Sequence, residues 1–538
     1  MDKKLKVKRI VFILLMYINF VYLLYRAFYT LPFNSGLLCI IIAFIILFLE
    51  TFDSIDFFLY YYKLLLNKIV YKPRRINKKD YPHIDVFIAT INESIPLLEE
   101  TIKACVNMDY PDKDKIHIYV SDDGRRKEVK NLSLKYGVNY ITRRDNKNAK
   151  AGNYNNVLKH TNSPYIVTFD ADMKPNKNFL LKVVPYNIGI DNVGFVQTPQ
   201  FFDNPDIYQL RFRLLDNIPS EQDYFYEIIQ PSRMITNTVV YCGTNAIISR
   251  KALEEVGGFA SKTVTEDIAT GMFIESLGYK GIALTDHLVL GKSVNDIDSF
   301  AKQRSRWGCG SLQIVKNYGV LRNKNLTLRQ KIAYFNGILY WLFCYKRFLY
   351  LLIPLLYSLF GLNIVECDMR VFLTLFLLNY VLKRFVVDML EDHKRSFTWY
   401  AIYEIVLAPI MIIQITKELF GFTILKFDVS SKDKIDKKMT PINRKLFSSH
   451  LMLLLIHILA VILSIYKGSL IGIHIYYFTL VWLLLNIVYL IIAIIFDLGY
   501  KNNDYNEFIP SKTDKYTFKS ITDIFTSFIK SVVIKWKI

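Results

Sequence analysis

The sequence is poor in the residues that staple folds or bind zinc. Its six cysteines, Cys39, Cys105, Cys242, Cys309, Cys344 and Cys367, stand in no CxxC or other metal-ligand spacing, and several lie in apolar runs. They read as packing residues in a reducing compartment, which excludes a disulfide framework. Histidine is scarce, at eight residues, and His287 and the others make no metal-ligand pattern, so zinc chemistry is not expected. The GxGxxG fingerprint is missing, which leaves an NAD-type dinucleotide fold unsupported. Internal repeats and low-complexity runs are lacking too. The first apolar run has a basic front, Lys3 to Arg9, but no small-residue cleavage site, and reads as a retained anchor. Acidic residues are in deficit, 48 against 68 Lys and Arg, for a net charge of +20. Basic loops on the cytoplasmic side of a membrane account for that excess. Attraction to anionic lipid or a phosphorylated substrate is the sharper reading. Nucleic acid is not expected as a partner, because the basic residues flank apolar spans and form no single stripe.

What is present in excess is apolar material: 52% of residues are hydrophobic and 15% aromatic. It gathers near the N-terminus and in the last 200 or so residues. Residues 10–29 and 37–60 predict two spans, the second with Glu50 and Asp53 near its lower end. The link between them holds Pro32, Asn34 and Gly36 and no Lys or Arg, while Lys68, Lys72, Arg74, Arg75, Lys78 and Lys79 follow the second span. Basic flanks around a neutral hairpin put both flanks, and the domain after them, in the cytoplasm. Beyond 330, Lys331–Arg347 reads as interfacial. Phe348–Leu362, Val371–Val387, Leu446–Tyr466 and Ile475–Phe496 predict four more spans, and Phe397–Phe422 fits either a span or an interfacial helix. The expected division is 1–66 for two N-terminal spans, 67–320 for a cytoplasmic domain, 321–500 for interfacial helices and four spans, and 501–538 for a short cytoplasmic tail.

Between about 81 and 310 short β-rich runs alternate with polar helical stretches. Asp85–Thr90, Lys115–Ser121, Val138–Thr142, Tyr165–Asp170 and Val193–Thr198 are the expected strands. The alternation predicts an α/β, doubly wound, mostly parallel sheet, with ligands at the carboxyl ends of its strands.

Polar motifs sit at those ends. Asp170-Ala171-Asp172 ends a strand, where two carboxylates can converge on Mg²⁺ or Mn²⁺ beside a diphosphate; a solvated turn is the plainer alternative. Asp122-Asp123-Gly124 could hydrogen-bond a nucleotide or be a common loop. Lys150-Ala151-Gly152-Asn153 could bring an ammonium to phosphate or simply open a helix. Thr265-Glu266-Asp267 offers a carboxylate to take a proton from an attacking hydroxyl, and equally an N-cap with acids in the first helical turn. Gln303-Arg304-Ser305-Arg306-Trp307 combines planar cations for a departing diphosphate with an indole face for a sugar ring; a basic helix anchored at the membrane surface is the alternative.

Taken in order, these motifs resemble those of the processive family-2 glycosyltransferases, and most closely the bacterial cellulose synthase catalytic subunits. Ala89–Glu93, Val196-Gln197-Thr198-Pro199 and Tyr241-Cys242-Gly243-Thr244 belong to the same series, and Phe427-Asp428-Val429-Ser430-Ser431-Lys432 resembles the family's gating loop, with Ser430 in place of Thr. The resemblance covers roughly residues 80–500. It implies a GT-A fold and an inverting mechanism. Thr90, Glu93 and Asp122 or Asp123 would hold the uridine, with Lys150 and Arg306 toward the phosphates. Asp170 and Asp172 would bind the Mg²⁺ or Mn²⁺, and Asp267 would be the general base. Glu266, Gln303, Trp307 and Cys242 would face the acceptor, and a gating loop over 425–440, with Phe427, Val429, Ser430 and Lys432, would close on UDP-glucose. The implied product is a β-glucan, β-1,4 or mixed β-1,3/1,4, passed across the plasma membrane. A hyaluronan- or chitin-like polymer, or a non-processive transfer to lipid, is the alternative. The stretch after 500 is too short for the PilZ-type domain of many relatives, so such control is expected from an accessory or regulatory subunit.

Overall fold

The computed structural model describes residues 3–66, 69–204, 206–212, 220–294, 296–391, 397–422, 443–471 and 475–498. Phe427, Val429, Ser430 and Lys432, expected in the gating loop, and the expected tail lie outside them.

The apolar runs of the middle region become seven strands: β1 Ile84–Thr90, β2 Ile116–Asp122, β3 Asn139–Ile141, β4 Tyr165–Asp170, β5 Val193–Gln197, β6 Ala246–Ser249 and β7 Lys280–Ala283. Their order is β3-β2-β1-β4-β6-β5-β7, parallel except for β6, which pairs antiparallel with both β4 and β5. All five expected strands form, within two residues of the expected bounds. The sequence reading missed β6 and β7, each four residues long. Runs that short have too little periodicity to stand out from loop. A second, three-stranded sheet joins Lys174–Pro175, Val289–Gly291 and Phe201–Phe202. The core is built as a both-sides-buried parallel sheet requires: Val86, Phe87, Ile88, Val167 and Phe169 are fully buried, with helices Ile95–Val106, Ala149–Leu158 and Phe179–Ile188 packed around the sheet.

Among the described residues, six helices are long and apolar enough to cross a membrane: Leu5–Tyr29, Leu37–Leu65, Leu328–Phe360, Trp399–Leu419, Arg444–Gly468 and Thr479–Asp497. The number matches the expectation but the membership differs. Trp399–Leu419, ambiguous in sequence, is apolar enough, yet it packs on the helix Ile297–Tyr318. The Cys309 thiol reaches Gln414 O at 3.6 Å and Gln313 Nε2 donates to Glu418 Oε2 at 3.0 Å. That packing leaves 61% of it buried, against 22–33% for the other five. Val371–Val387, expected as a span, lies within helix Met369–Glu391, which carries Arg370, Lys383, Arg384 and Asp388 and is not among those six. It nevertheless runs antiparallel along the first helix from end to end. Lys8 Nζ donates to Met389 O at 2.6 Å, Asn19 Nδ2 to Asn379 Oδ1 at 3.2 Å, and the Tyr25 hydroxyl to Asp368 O at 3.3 Å.

Candidate active site

The sheet reverses direction of winding between β1 and β4, and this sets their carboxyl ends side by side. Thr90 is in register with Asp122, and Ala89 with Asp170. A crevice opens at such a switch point because the connecting loops depart to opposite sides.

On the β1–β2 side the loop residues organise one another. Glu93 Oε2 accepts from the Thr90 hydroxyl at 2.6 Å and from Ile91 N at 2.8 Å. Arg126 donates to the Thr90 hydroxyl oxygen at 2.7 Å and to Glu93 O at 2.5 Å. Asp123 faces the crevice and is gripped by Arg143 through two contacts of 2.6 Å. Asp122 corrects an expectation. It is fully buried and off the crevice, accepting from Arg126 N at 2.7 Å, Gly124 N at 2.9 Å and the Tyr140 hydroxyl at 3.3 Å. Its carboxylate is consumed in shaping the turn, so of the acidic pair only Asp123 can meet a nucleotide. Arg126 and Arg143 went unnoticed in sequence because single arginines in loops carry no spacing signal.

On the β4 side, Lys150 Nζ donates to Asp170 Oδ1 at 2.5 Å and to Gly243 O at 2.8 Å. Gln197 ties two of the motifs together: its amide donates to Thr244 O at 2.9 Å and its Oε1 accepts from Cys242 N at 2.8 Å. The Thr244 hydroxyl in turn accepts from Asp170 N at 2.9 Å. Gly243 has a left-handed φ of 74°, and a Cβ there would lie 3.1 Å from Asp267 Oδ2 and 3.2 Å from Lys150 Nζ. The backbone therefore passes directly between the ammonium and the carboxylate, a close approach that glycine permits.

Two helices complete the crevice. Glu266–Ser276 begins with the acidic pair, and Asp267 Oδ1 accepts from Ile268 N at 2.9 Å. Thr265 occupies the N-cap position, but its side chain caps no amide. The hydroxyl instead meets Thr263 Oγ1 at 3.2 Å. Helix Ile297–Tyr318 presses against it: a Cβ on Gly310 would come within 2.6 Å of Thr265 Cγ2. In the same helix the Arg304 guanidinium stacks 4.2 Å from the Trp307 ring centre, and Gln303 Oε1 is buried with no hydrogen-bond partner among the described residues.

Every predicted site residue among those described, Asp122 excepted, lines one cavity of about 1030 Å³. The cavity does not stop at the α/β domain. Asp53, Phe57 and Tyr60 of helix Leu37–Leu65 line it, as do Lys346 and Tyr350 of helix Phe343–Phe360, Lys383, Tyr400 and Glu404. Sequence reading noted Asp53 but missed the rest of this extension, whose one signal was ionisable residues inside apolar runs.

Residues 85–257 match the family model Glycosyl transferase family 2, and residues 254–402 match the Cellulose synthase model. The chain carries a family-2 glycosyltransferase domain followed by a cellulose synthase-type segment. Curated relatives agree. A cellulose synthase catalytic subunit [UDP-forming] of Pseudomonas fluorescens is 34% identical over 372 residues, 67% of this chain and 50% of that protein. The cellulose synthase 1 catalytic subunit [UDP-forming] of Komagataeibacter xylinus is 33% identical over 55% of this chain and 40% of that protein. The chain thus spans half, or less, of the length of these relatives. Among solved structures, a mannosyltransferase from Pyrobaculum calidifontis in complex with GDP-Man and Mn²⁺ aligns with a TM-score of 0.45 at 17% identity, over 68% of this chain and 96% of that one. The fold is GT-A, set in a multi-pass membrane protein with the glycosyltransferase domain on the cytoplasmic side.

Within the glycosyltransferase domain the electrostatics centre on the acidic pair. Glu266 is pushed up to about 7, first by burial and then by the charge of Asp267. Asp267 is raised by burial as well, with Lys150 and Arg306 pulling it back. For Lys150, burial opposes the charge, but Asp170 and Glu266 outweigh it and the ammonium is held protonated. A carboxyl whose pKa is raised loses its anionic form as pH falls through that raised value, so Glu266 takes up its proton as pH falls through about 7, and a step that needs the Asp267 carboxylate is lost at a higher pH than an ordinary aspartate would allow. Arg306→Gln removes a positive charge that holds the Asp267 carboxylate down, so the acidic limb of the kcat/KM profile moves to higher pH. A limb that stays in place or moves down contradicts this assignment.

The donor set is suited to a hard cation. Asp170 and Asp172 both face the cavity at a strand end. Among the described residues no three His, Cys, Asp or Glu converge. Two carboxylates are what a Mg²⁺-type ion needs when its remaining ligands come from phosphate oxygens and water.

Proposed function

We propose that the chain is a processive, inverting glycosyltransferase that polymerises glucose from UDP-glucose into a β-glucan, β-1,4 or mixed β-1,3/1,4, and feeds it across the membrane. The continuity of the cavity carries this reading. One space joins the carboxylates at the strand ends to the walls of the membrane helices, so a chain lengthened at the first would enter the second. A transferase that glycosylates a lipid once has no need of such an extension.

The chemistry follows from placement. Asp170 and Asp172 would hold a Mg²⁺ or Mn²⁺, which when bound supplies positive charge to the leaving diphosphate. Asp123 and the Thr90–Glu93–Arg126 network would seat the uridine, and Arg306 would face the phosphates. An acceptor hydroxyl attacks the anomeric carbon of the donor sugar. The bond from that carbon to the UDP oxygen breaks on the far side, the new glycosidic bond forms with inversion, and the hydroxyl proton passes to Asp267. The orphaned Gln303 Oε1 is a ready acceptor for a sugar hydroxyl, and the Trp307 indole offers a ring face. Burial keeps water from competing, and fixed positions replace the entropy a free encounter would cost.

The membrane part of the cavity supports a neutral polymer over an anionic one such as hyaluronan. Among its cations, Lys346 is matched by Asp53 at 3.1 Å and Arg347 by Glu404 at 2.5 Å, while Lys383 donates to the Ser54 hydroxyl at 3.3 Å. A conduit for a polyanion would instead leave most of its cations without an acidic partner. The test is synthesis by purified protein with Mg²⁺ or Mn²⁺ and UDP-glucose. A polymer digestible by β-glucanase is the expected product. Addition of a single sugar, or a lipid-extractable labelled product, overturns the reading.

A further inference from the structure

The acidic residues of the second membrane helix lie on one side. Glu50, Asp53 and Asp56 follow at three-residue spacing in helix Leu37–Leu65, and each meets a group from another helix. Asp56 accepts from the Asn336 amide, Asp53 from Lys346 Nζ at 3.1 Å, and Glu50 from Arg26 at 2.9 Å. Asp53 and Asp56 line the cavity; among the described residues its lining ends before Glu50 and Arg26. The ion pair thus begins where the cavity stops, on the side away from the glycosyltransferase domain.

The pair is built as a closure. The Arg26 side chain is 4% exposed and that of Glu50 20%. Arg26 also donates to the Thr30 hydroxyl oxygen at 2.6 Å, its guanidinium lies 5.6 Å from the Phe372 ring centre, and the Tyr22 side chain lies beside Glu50. Tyr350, which ends the cavity wall on helix Phe343–Phe360, lies within electrostatic reach of both charges. One ion pair therefore links helices Lys3–Tyr29 and Leu37–Leu65 and adjoins two more, Met369–Glu391 and Phe343–Phe360. Farther out, Ala43 and Ile46 of helix Leu37–Leu65 pack with Leu349 and Ile353 of helix Phe343–Phe360 and with Leu31 and Ile364 of the links beside them into an apolar cluster.

Stability is a poor reason to keep such a pair, because the cost of desolvating two charges roughly cancels their attraction. Ionisable groups inside a span mark a path or a switch. Here the pair lies at the outer end of the cavity, with an apolar cluster beyond it. We propose that Arg26–Glu50 is an outward latch: joined, it seals the outer end of the cavity in the resting protein; parted, it lets a polymer through, its hydrogen bonds passing to sugar hydroxyls. The polymer's identity rests on the proposed function, whereas the seal does not.

Proteoliposomes of the full chain, without any UDP-sugar, test the seal through efflux of an entrapped small dye. Wild type is expected to be tight. Glu50→Ala is expected to raise efflux roughly tenfold or more, as follows from a shift of a closed–open equilibrium toward the open state. A lone buried Arg26 can cost folding, so Arg26→Ala/Glu50→Ala removes both charges, and a retained thermal transition certifies that each variant is folded. The swap Arg26→Glu/Glu50→Arg restores the pair and is expected to reseal the vesicles. Glycosyl transfer in detergent should be the same in all of them. Folded alanine variants as tight as wild type overturn the latch, and so does a swap that leaks like the double alanine. Leaky variants in a protein that makes no polymer leave the latch standing and sink the proposed function.

Discussion

Asp267→Asn is expected to lower polymer formation by roughly 10²–10⁴-fold, the range a positioned general base supplies, with UDP binding undiminished. The asparagine keeps the shape of the carboxylate but cannot take a proton. Asp267 lies across Gly243 from Lys150, at the first turn of a buried helix, so the substitution leaves the crevice walls in place. The loss should therefore fall on kcat, with KM for UDP-glucose close to wild type. Single-turnover transfer and UDP titration on the same preparation separate the two quantities. Full activity in Asp267→Asn refutes the base assignment, and a loss confined to KM moves Asp267 to substrate binding.

Asp170→Asn and Asp172→Asn should each remove the metal-dependent part of UDP binding. Titration with UDP, with and without Mn²⁺, reads this without any turnover. Wild type should bind UDP about tenfold or more tighter with Mn²⁺ present, a gain of ~1.4 kcal/mol or more. Each variant should bind UDP equally with and without it. Asp170 carries a second consequence, because its carboxylate also receives Lys150. Asp170→Asn leaves that ammonium to Gly243 O and the acidic pair, so this variant should further ease proton loss from Asp267, as Asp172→Asn should not. A Mn²⁺ effect that survives in both variants places the ion elsewhere.

Much of the site was legible before any fold was known, for a definite reason. Strand ends are where ligands bind in doubly wound sheets, and Asp122-Asp123, Asp170-Ala171-Asp172 and the strands before them are contiguous in sequence. Local order therefore carried the site. The role of Asp122 was not legible, because which of two adjacent carboxylates turns inward is decided by Arg126 and Tyr140. Arg143, the clamp formed by Gln197 and the need for glycine at 310 were hidden for the same reason: each depends on a partner distant along the chain. Helix Trp399–Leu419 shows the limit in the membrane part. Its hydropathy fits a span, and only the contact with helix Ile297–Tyr318 shows it wedged against the active-site helix.

By itself the sequence determined the apolar helices, the cytoplasmic placement of the middle domain, the parallel α/β character and the motif order, all of which follow from composition, periodicity and neighbours a few residues apart. Tertiary structure alone decided which acids face the crevice, how Glu266 and Asp267 share their protons, and that the crevice continues among the membrane helices to a closed ion pair. Those outcomes depend on burial and on groups far apart in the chain, and the free energy of a charge is fixed by what surrounds it.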